Sequence, residues 1–418
     1  MLEMGMTLAT IVERVLGPDL PIGFRAYDGS SAGPPDAPAT LVMRTPDAVR
    51  RIVTAPGELG LARAYVAGDL DLEGDVFALL SLRDRLPDVR LTPRQLLDLA
   101  RTLGRTALRR LPPPDEEARL RGGRHTRERD AAAIAHHYDV GNDFYRLVLG
   151  PSLTYSCAVF TNGTKSLEAA QANKHELVSR KLGLAPGMRL LDVGCGWGSM
   201  ALHAAGRHGV AVVGVTVSKE QAGSACKRAV DAELAEQVEI RVQDYRDVTD
   251  GPFDAISSIG MFEHVGAAQL AEYFARLHDL LAPGGRLLNH AISRPPGERS
   301  RFARSGFIER YVFPDGELHE VGSVVSAIQR AGFEVRHVET LREHYALTLR
   351  RWVANLESNW DDAVALVGAG RARVWRLYMA GSALNFEAGR TQVHQVLAVK
   401  PGTYGHSGTA LRPDWDLP

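Results

Sequence analysis

The 418-residue sequence predicts an α/β protein whose larger domain contains a parallel sheet with helices on both faces. The first observation is an alternation of short apolar runs with helix-length segments. The runs occupy residues 189–193, 210–215, 238–242, 255–259 and 286–290. The second observation is a glycine-rich segment, Gly194 to Gly198, directly after the first run. Doubly wound sheets bind ligands at this kind of strand-to-helix turn, so the pattern also predicts a ligand site.

Composition limits the class of protein. Basic (49) and acidic (50) residues nearly cancel, which argues against a protein that coats nucleic acid. Cys157, Cys195 and Cys226 form no CxxC pair, so we expect neither a disulfide framework nor a metal site. The first twenty residues lack the pattern of an export signal, and no run of eighteen apolar residues occurs. The sequence therefore predicts a cytoplasmic protein and leaves attachment to a membrane surface open.

The pattern changes along the chain and divides it into three regions. Residues 1–111 have a mixed α+β pattern, with strands predicted at 22–27 and 39–43 and helices at 46–54, 60–69 and 77–82. Residues 112–130 begin with three prolines and continue as a polar, arginine-rich stretch, which is typical of a linker. Residues 131–418 form the α/β domain.

Two basic segments each allow two interpretations. Leucines and arginines over residues 92–111 predict an amphipathic helix with a basic face. Its charges face water while its apolar face packs on the core, or the helix adsorbs to an anionic membrane. The same choice, between a solvated surface and contact with phosphate headgroups, applies to a second basic cluster. This cluster consists of Arg294, Arg299, Arg301, Arg304 and Arg310.

The glycine-rich segment differs from the dinucleotide-binding pattern GxGxxG because its third glycine comes one position early. Its spacing and the preceding Asp192 resemble the first motif of class I S-adenosylmethionine (SAM) methyltransferases. Those enzymes have a Rossmann-like, seven-stranded, mostly parallel sheet. Residues 243–245, 253–256 and 281–285 agree with this resemblance. The resemblance therefore implies SAM as the cofactor.

Other segments make the resemblance more specific. Residues 136–145, 153–158 and 260–266 are similar to motifs of the cyclopropane-fatty-acyl-phospholipid synthase family, which includes the mycolic acid methyltransferases. The similarity extends over about residues 131–400. It implies a methyltransferase domain at 131–418 with a helical lipid-binding insertion, and a small α+β domain at 1–111.

The family resemblance implies a substrate, the cis double bond of an unsaturated acyl chain attached to phospholipid. An alkene is a weak neutral nucleophile, so its attack on the sulfonium methyl group depends on alignment and on stabilisation of a carbocation. In this family a bound bicarbonate ion serves as the base. By motif, the residues that hold it are Cys157, Glu263, His290, Ile292 and Tyr345.

The resemblance also implies the residues that contact SAM. They are Tyr138, Tyr155, Ser156, Gly194, Gly196, Thr216, Val217, Gln221, Asp244 and Tyr245. Most class I methyltransferases place a carboxylate after the second strand to hold the ribose, but no acid stands at that position here. Gln221 is the candidate for this contact because its amide can both donate and accept hydrogen bonds.

The sequence leaves several alternatives open. Proton loss from the added methyl group closes a cyclopropane ring. A hydride shift before proton loss instead gives a 10-methylene branch, which a reductase partner converts to a methyl branch. A SAM methyltransferase of another small molecule and a non-catalytic lipid-binding module are the other classes. The expected partner is membrane phospholipid at the inner face of the membrane, without nucleic acid, and homo-oligomerisation is undecided.

Overall fold

The computed structural model describes residues 7–17, 20–82, 109–118, 129, 140–164, 166–297, 306–314 and 316–417. Residue contacts divide the chain into two compact units. The first unit comprises Met1–Arg119, Phe302–Pro314 and Trp360–Leu384, and the second comprises Leu120–Arg301, Asp315–Asn359 and Asn385–Pro418. Residues 302–314 and 360–384 therefore group with the N-terminal region, although they lie far from it in sequence. The boundaries drawn from the sequence, at 111 and 131, stay a prediction.

Strands and helices alternate over most of the described residues. The strands are β1 (Gly23–Ala26), β2 (Ser31–Ala32), β3 (Ala39–Met43), β4 (Leu70–Gly74), β5 (Arg189–Val193), β6 (Ala211–Thr216), β7 (Val238–Val242), β8 (Phe253–Ile259), β9 (Leu281–Ser293), β10 (Glu334–Thr340) and β11 (Gln392–Val399). The α-helices are α1 (Leu8–Leu16), α2 (Pro46–Thr54), α3 (Glu58–Val66), α4 (Val76–Ser81), α5 (Asn142–Leu149), α6 (Leu167–Leu182), α7 (Ser199–His208), α8 (Lys219–Asp231), α9 (Leu270–Leu280), α10 (Phe307–Tyr311), α11 (Val321–Arg330), α12 (Arg342–Ser358), α13 (Trp360–Val367) and α14 (Ala369–Glu387).

The second unit is built on a seven-stranded sheet with the strand order β10-β11-β9-β8-β5-β6-β7. Neighbouring strands from β9 to β7 are parallel, whereas β11 is antiparallel to both β9 and β10. This arrangement confirms the predicted Rossmann-like, mostly parallel sheet. β5 and β7 have the predicted bounds, and β10 and β11 are strands that the apolar runs did not indicate.

Both faces of this sheet are buried. Leu190 and Val212 belong to one apolar cluster, together with residues of α6 and α7. The next residues along the same strands, Leu191 and Val213, belong to a second cluster with residues of α9 and α11. Successive side chains of a strand point to opposite faces, so a sheet covered on both sides requires continuous apolar runs. That requirement explains why the runs were visible in the sequence.

The first unit contains a smaller sheet with the strand order β2-β1-β3-β4. β1 and β3 are parallel, and the other two pairs are antiparallel. The strand and helix predicted at 39–43 and 46–54 have those bounds as β3 and α2. Thr45 caps α2 by accepting a hydrogen bond from the Asp47 backbone N–H at 3.3 Å, and Pro46 occupies the first helical position. Of the basic helix predicted at 92–111, residues 92–108 lie outside the described residues.

A buried carboxylate, Glu117, joins three segments of the first unit. It accepts hydrogen bonds from Arg63 at 2.7 and 2.9 Å, from Arg310 at 2.7 Å and from the Tyr311 hydroxyl at 3.2 Å. Burial opposes ionisation of Glu117, but the hydrogen bonds from the two guanidinium groups outweigh it and lower its pKa. A residue of the predicted linker is thus part of the packed interior.

The second basic cluster is partly engaged in ion pairs. Arg310 pairs with Glu117, and Arg294 pairs with Glu320 at 2.9 Å. Both arginines therefore pair with carboxylates of the protein, Arg310 with a buried one and Arg294 with a partly exposed one. Arg299, Arg301 and Arg304 lie outside the described residues.

We expect Glu117→Gln to destabilise the protein because it leaves two guanidinium groups without a counter-charge. The expected loss is about 2 kcal/mol, between the values for exposed and fully buried ion pairs. Urea unfolding at pH 7, followed by circular dichroism, measures it. The matched control is Glu73→Gln, since Glu73 pairs with Arg25 where both side chains are at least half exposed. Equal losses in the two variants would contradict the assigned role of Glu117.

Candidate active site

A pocket lies in the second unit at the carboxyl ends of β5, β6, β7 and β8. It is lined by nine of the ten residues predicted to contact the cofactor, namely Tyr155, Ser156, Gly194, Gly196, Thr216, Val217, Gln221, Asp244 and Tyr245. The tenth, Tyr138, lies outside the described residues. The pocket thus brings together predicted residues that are up to 90 positions apart in sequence, from Tyr155 to Tyr245. Direct contact of these residues with SAM stays a prediction.

The glycine loop after β5 requires glycine at Gly194. Its φ is +74°, a conformation that other residues rarely adopt, and a Cβ atom there would lie 2.9 Å from the Met261 side chain. Gly198 also has a positive φ, of +78°, and α7 begins at the next residue. The loop therefore brings the backbone and the N-terminus of α7 close to the space that the cofactor would occupy.

Arg228 of α8 holds the segment before the sheet against the glycine loop. Its guanidinium donates to the Trp197 carbonyl at 2.5 Å and to the Ser152 carbonyl at 2.9 Å. The Ser199 hydroxyl also donates to the Ser152 carbonyl. These contacts place Tyr155 and Ser156, which follow Ser152 by three and four residues, in the pocket wall.

The tip of β6, where the sequence predicts the ribose contact, carries no acid. Thr216 donates from its hydroxyl to the Gln221 side-chain oxygen at 3.0 Å. Ser218 caps α8 by accepting a hydrogen bond from the Gln221 backbone N–H at 3.2 Å. Gln221 is 5% exposed. Because its side-chain oxygen accepts from Thr216, Gln221 would use its NH₂ group to donate to a ribose hydroxyl.

Two buried ionisable residues, Asp192 and Lys174, line the same pocket. Asp192 accepts a hydrogen bond from the Ser257 hydroxyl at 2.7 Å, and burial raises its pKa to about 6. Burial lowers the pKa of Lys174, on α6, to about 7. Lys174 was not predicted from the sequence. Its only sequence signal is its position on the same helical face as Ala170, Val178 and Lys181, which are all buried.

The five residues expected to hold bicarbonate are connected through the backbone of β9, β11 and α12. The Cys157 thiol donates to the Leu341 carbonyl at 3.5 Å, and the Tyr345 backbone N–H donates to the same carbonyl at 3.0 Å. The Leu341 backbone N–H donates to the Val393 carbonyl of β11 at 3.0 Å. Val393 is paired with Ile292 of β9 in the sheet. All five belong to the second unit.

Glu263 and His290 complete this group. Glu263 follows β8 and accepts a hydrogen bond from the Ile292 backbone N–H at 2.7 Å through Oε1. His290 lies two residues before Ile292 on β9, so the two side chains share a face of the sheet. Lys174, which lines the pocket, interacts electrostatically with both Cys157 and His290. None of the five residues predicted to hold bicarbonate lines the pocket itself.

Polar atoms of this group are buried without partners. Among the described residues, Glu263 Oε2 and both ring nitrogens of His290 have no hydrogen-bond partner. Burial raises the pKa of Glu263 to about 7 and lowers that of His290 to about 3, and it raises the pKa of the Cys157 thiol. His290 and Cys157 are therefore neutral at pH 7, and Glu263 exchanges its proton near that pH.

Comparison with known proteins supports the class that the fold and pocket define. A probable fatty acid methyltransferase of Mycobacterium tuberculosis is 50% identical over 94% of this chain and 95% of that protein. A tuberculostearic acid methyltransferase of the same organism is 32% identical over 94% of this chain and 92% of that protein. The solved mycolic acid cyclopropane synthase CmaA1, in complex with SAH and CTAB, has a TM-score of 0.61 and 36% identity over 64% of this chain and 97% of that chain.

The fold is that of a class I SAM-dependent methyltransferase, with SAM as its cofactor. The chain belongs to the mycolic acid cyclopropane synthetase family, whose model matches residues 125–396. The resemblance found in the sequence is thereby confirmed at the level of the family. The class comprises SAM-dependent fatty acid methyltransferases and cyclopropane synthases.

We expect Gly194→Ala to weaken SAM binding because the added methyl group meets Met261 and strains the loop. A tenfold loss of affinity, about 1.4 kcal/mol, is expected in isothermal titration calorimetry. Gly223→Ala is the control, since Gly223 lies within α8 and a Cβ atom there meets nothing within 4 Å. That change should leave SAM affinity unchanged and stabilise the helix by about 0.5–1 kcal/mol. Wild-type affinity in Gly194→Ala would show that the loop does not approach the cofactor.

Proposed function

We propose that the protein transfers a one-carbon unit from SAM to the cis double bond of an unsaturated fatty-acyl chain of phospholipid. The reaction passes through a carbocation that loses a proton to bound bicarbonate, and it gives a 10-methylene branch or a cyclopropane ring. The family assignment and the full-length similarity to a fatty acid methyltransferase support the acyl substrate. The phospholipid, the bicarbonate and the product are the parts that go beyond those comparisons.

The unpartnered polar atoms of Glu263 and His290 are the observation that carries this proposal. A buried polar atom without a partner costs about 1–3 kcal/mol, so these atoms are expected to bind a ligand. A carboxylate or carboxylic acid oxygen and a neutral imidazole offer both acceptor and donor capacity. Bicarbonate, a small planar ion with both kinds of group, matches that set.

The residues of the predicted bicarbonate site have different roles in the proposed reaction. When bound, SAM supplies the electrophilic methyl group and bicarbonate supplies the base. Ile292 fixes the Glu263 carboxyl group through its backbone N–H, and His290 presents an uncharged ring that either donates or accepts. Tyr345 packs its ring against Phe386, with 4.7 Å between ring centroids, which fixes its side chain. The buried surroundings of Cys157 exclude water, which would otherwise capture a carbocation.

A membrane substrate requires that the protein reach the bilayer surface. Among the described residues, no helix is long and apolar enough to cross a bilayer. We propose peripheral attachment at the inner face of the membrane, to which the basic segment at 92–111 contributes charge. A methylene product also implies a reductase partner. The relative named for tuberculostearic acid favours the branched product, since it is similar along nearly the whole chain.

The proposed function is tested with purified protein, oleoyl-phospholipid vesicles and methyl-labelled SAM, followed by mass spectrometry of the released acyl chains. We expect the oleoyl chain to gain one CH₂ unit and saturated phospholipid to gain none. A product that still takes up hydrogen contains a methylene branch, and one that resists hydrogenation contains a ring. Labelling of free oleate alone would contradict the phospholipid substrate. No labelling of either, with SAM still bound, would contradict the acyl acceptor.

Glu263→Gln should have opposite effects on activity and stability. We expect product formation to fall by about 100-fold or more, because the carboxyl group is proposed to hold the bicarbonate that accepts the proton. A carboxyl group whose pKa is raised from 4.5 to about 7 in the folded state lowers the stability of the protein as pH rises through that interval, because the buried group opposes ionisation. The variant cannot ionise, so it should exceed the wild type in unfolding free energy at pH 8 by on the order of 3 kcal/mol, and not at pH 4.

Product formation in the vesicle assay and urea unfolding at the two pH values measure these effects. A matched pair of variants provides the control. Cys157→Ser should lower product formation, whereas Cys226→Ser should not, since Cys226 is exposed. Unchanged activity in Glu263→Gln would contradict the bicarbonate site.

A further inference from the structure

Three potential metal ligands that have no assigned part in the reaction converge between α6 and α7. One carboxylate oxygen of Glu176 in α6, Oε2, lies within hydrogen-bond distance of two histidines of α7. That atom lies 3.2 Å from His203 Nε2 and 3.1 Å from His208 Nε2. All three ligand atoms lie within 4.8 Å of one another. We refer to these residues as the His₂Glu cluster.

The separations suit a first-row metal ion. Around a tetrahedral ion with bonds of about 2.0–2.1 Å, ligand atoms are about 3.3 Å apart. The two oxygen-to-nitrogen distances are close to that value, so small movements of the rings would admit an ion. Two imidazoles and one carboxylate are a known zinc-binding set, with the remaining position left to water.

The surroundings prepare these groups as ligands. Arg180 donates to the other oxygen of Glu176, Oε1, at 2.8 Å, which orients the carboxylate and leaves Oε2 toward the histidines. The three side chains are 14–25% exposed, so an ion can reach them from solvent.

We propose that the His₂Glu cluster binds a divalent transition-metal ion, for which Zn²⁺ is the matching probe. The ion joins α6 to α7, the helix that begins directly after the glycine loop. The site is independent of the proposed reaction, since its ligands are not among the pocket-lining residues or the bicarbonate group. Cysteine spacing in the sequence predicted no metal site, and ligands on two different helices carry no spacing signal of that kind.

The test uses full-length protein freed of purification tags and of metal. Calorimetric titration with Zn²⁺ should show one site, and Co²⁺ should give the visible absorption of a four- or five-coordinate ion. Zn²⁺ should also raise the melting temperature, because it binds only the folded arrangement of the two helices. Mg²⁺ should do none of these, since it prefers oxygen ligands.

Variants locate the ion. His208→Gln should weaken Zn²⁺ binding by more than the roughly 10-fold to 100-fold loss that follows removal of an outer partner of a metal site. His406→Gln, at an exposed histidine outside the cluster, should bind Zn²⁺ like the wild type. SAM affinity, measured on each variant, shows that the protein is folded. Absence of a stoichiometric Zn²⁺ site, or unchanged binding in a folded His208→Gln variant, would overturn the proposal.

Discussion

Burial of ionisable groups at the carboxyl edge of the sheet is the constraint on which the second unit depends. Asp192, Lys174 and His290 are each at most 2% exposed. An unpaired charge in such a place costs several kcal/mol, so burial favours the neutral form of each group. It therefore raises the pKa of the acid and lowers the pKa of the two bases. Burial raises the pKa of Asp192 to about 6 and lowers that of Lys174 to about 7. The same burial leaves Glu263 Oε2 and both ring nitrogens of His290 without a hydrogen-bond partner in the described part of the chain.

The irregular segment beside the pocket needs hydrogen-bond partners for its buried backbone groups. Residues 150–160 form neither helix nor strand, and buried carbonyls without partners are costly. Side chains from the surrounding helices supply the hydrogen bonds. Arg228 donates to the Ser152 carbonyl, Gln171 donates to the Thr154 carbonyl at 3.4 Å, and Thr348 accepts from the Ala158 backbone N–H at 3.1 Å. This segment is thus held from α6, α8 and α12 at once, which explains how it keeps a fixed shape without regular structure.

Patterns that depend on neighbouring residues could be predicted from the sequence. The strands at 39–43, 189–193 and 238–242 and the helix at 46–54 were predicted with their bounds, because alternation, caps and glycines are local. The motifs also selected nine residues that line the pocket, although they come from separate segments of the chain. Lys174 was missed because a buried lysine on a helix has the sequence of a solvated one. The grouping of residues 302–314 and 360–384 with the N-terminal region was missed for a similar reason, since it depends on contacts between distant segments.

Helix α6 shows why such features escape sequence patterns. It buries Gln171, Lys174, His175 and Lys181 together with its apolar residues, so it lacks the clear division into apolar and polar faces that predicts a helix orientation. These buried polar groups differ in what they contact. Lys181 donates to the Gln395 side chain of β11 at 2.7 Å, whereas Lys174 and His175 line the pocket. Glu176, the next residue, faces the histidines of α7. One helix therefore connects the sheet, the cofactor pocket and the His₂Glu cluster, and its polar content follows from those three contacts rather than from exposure to water.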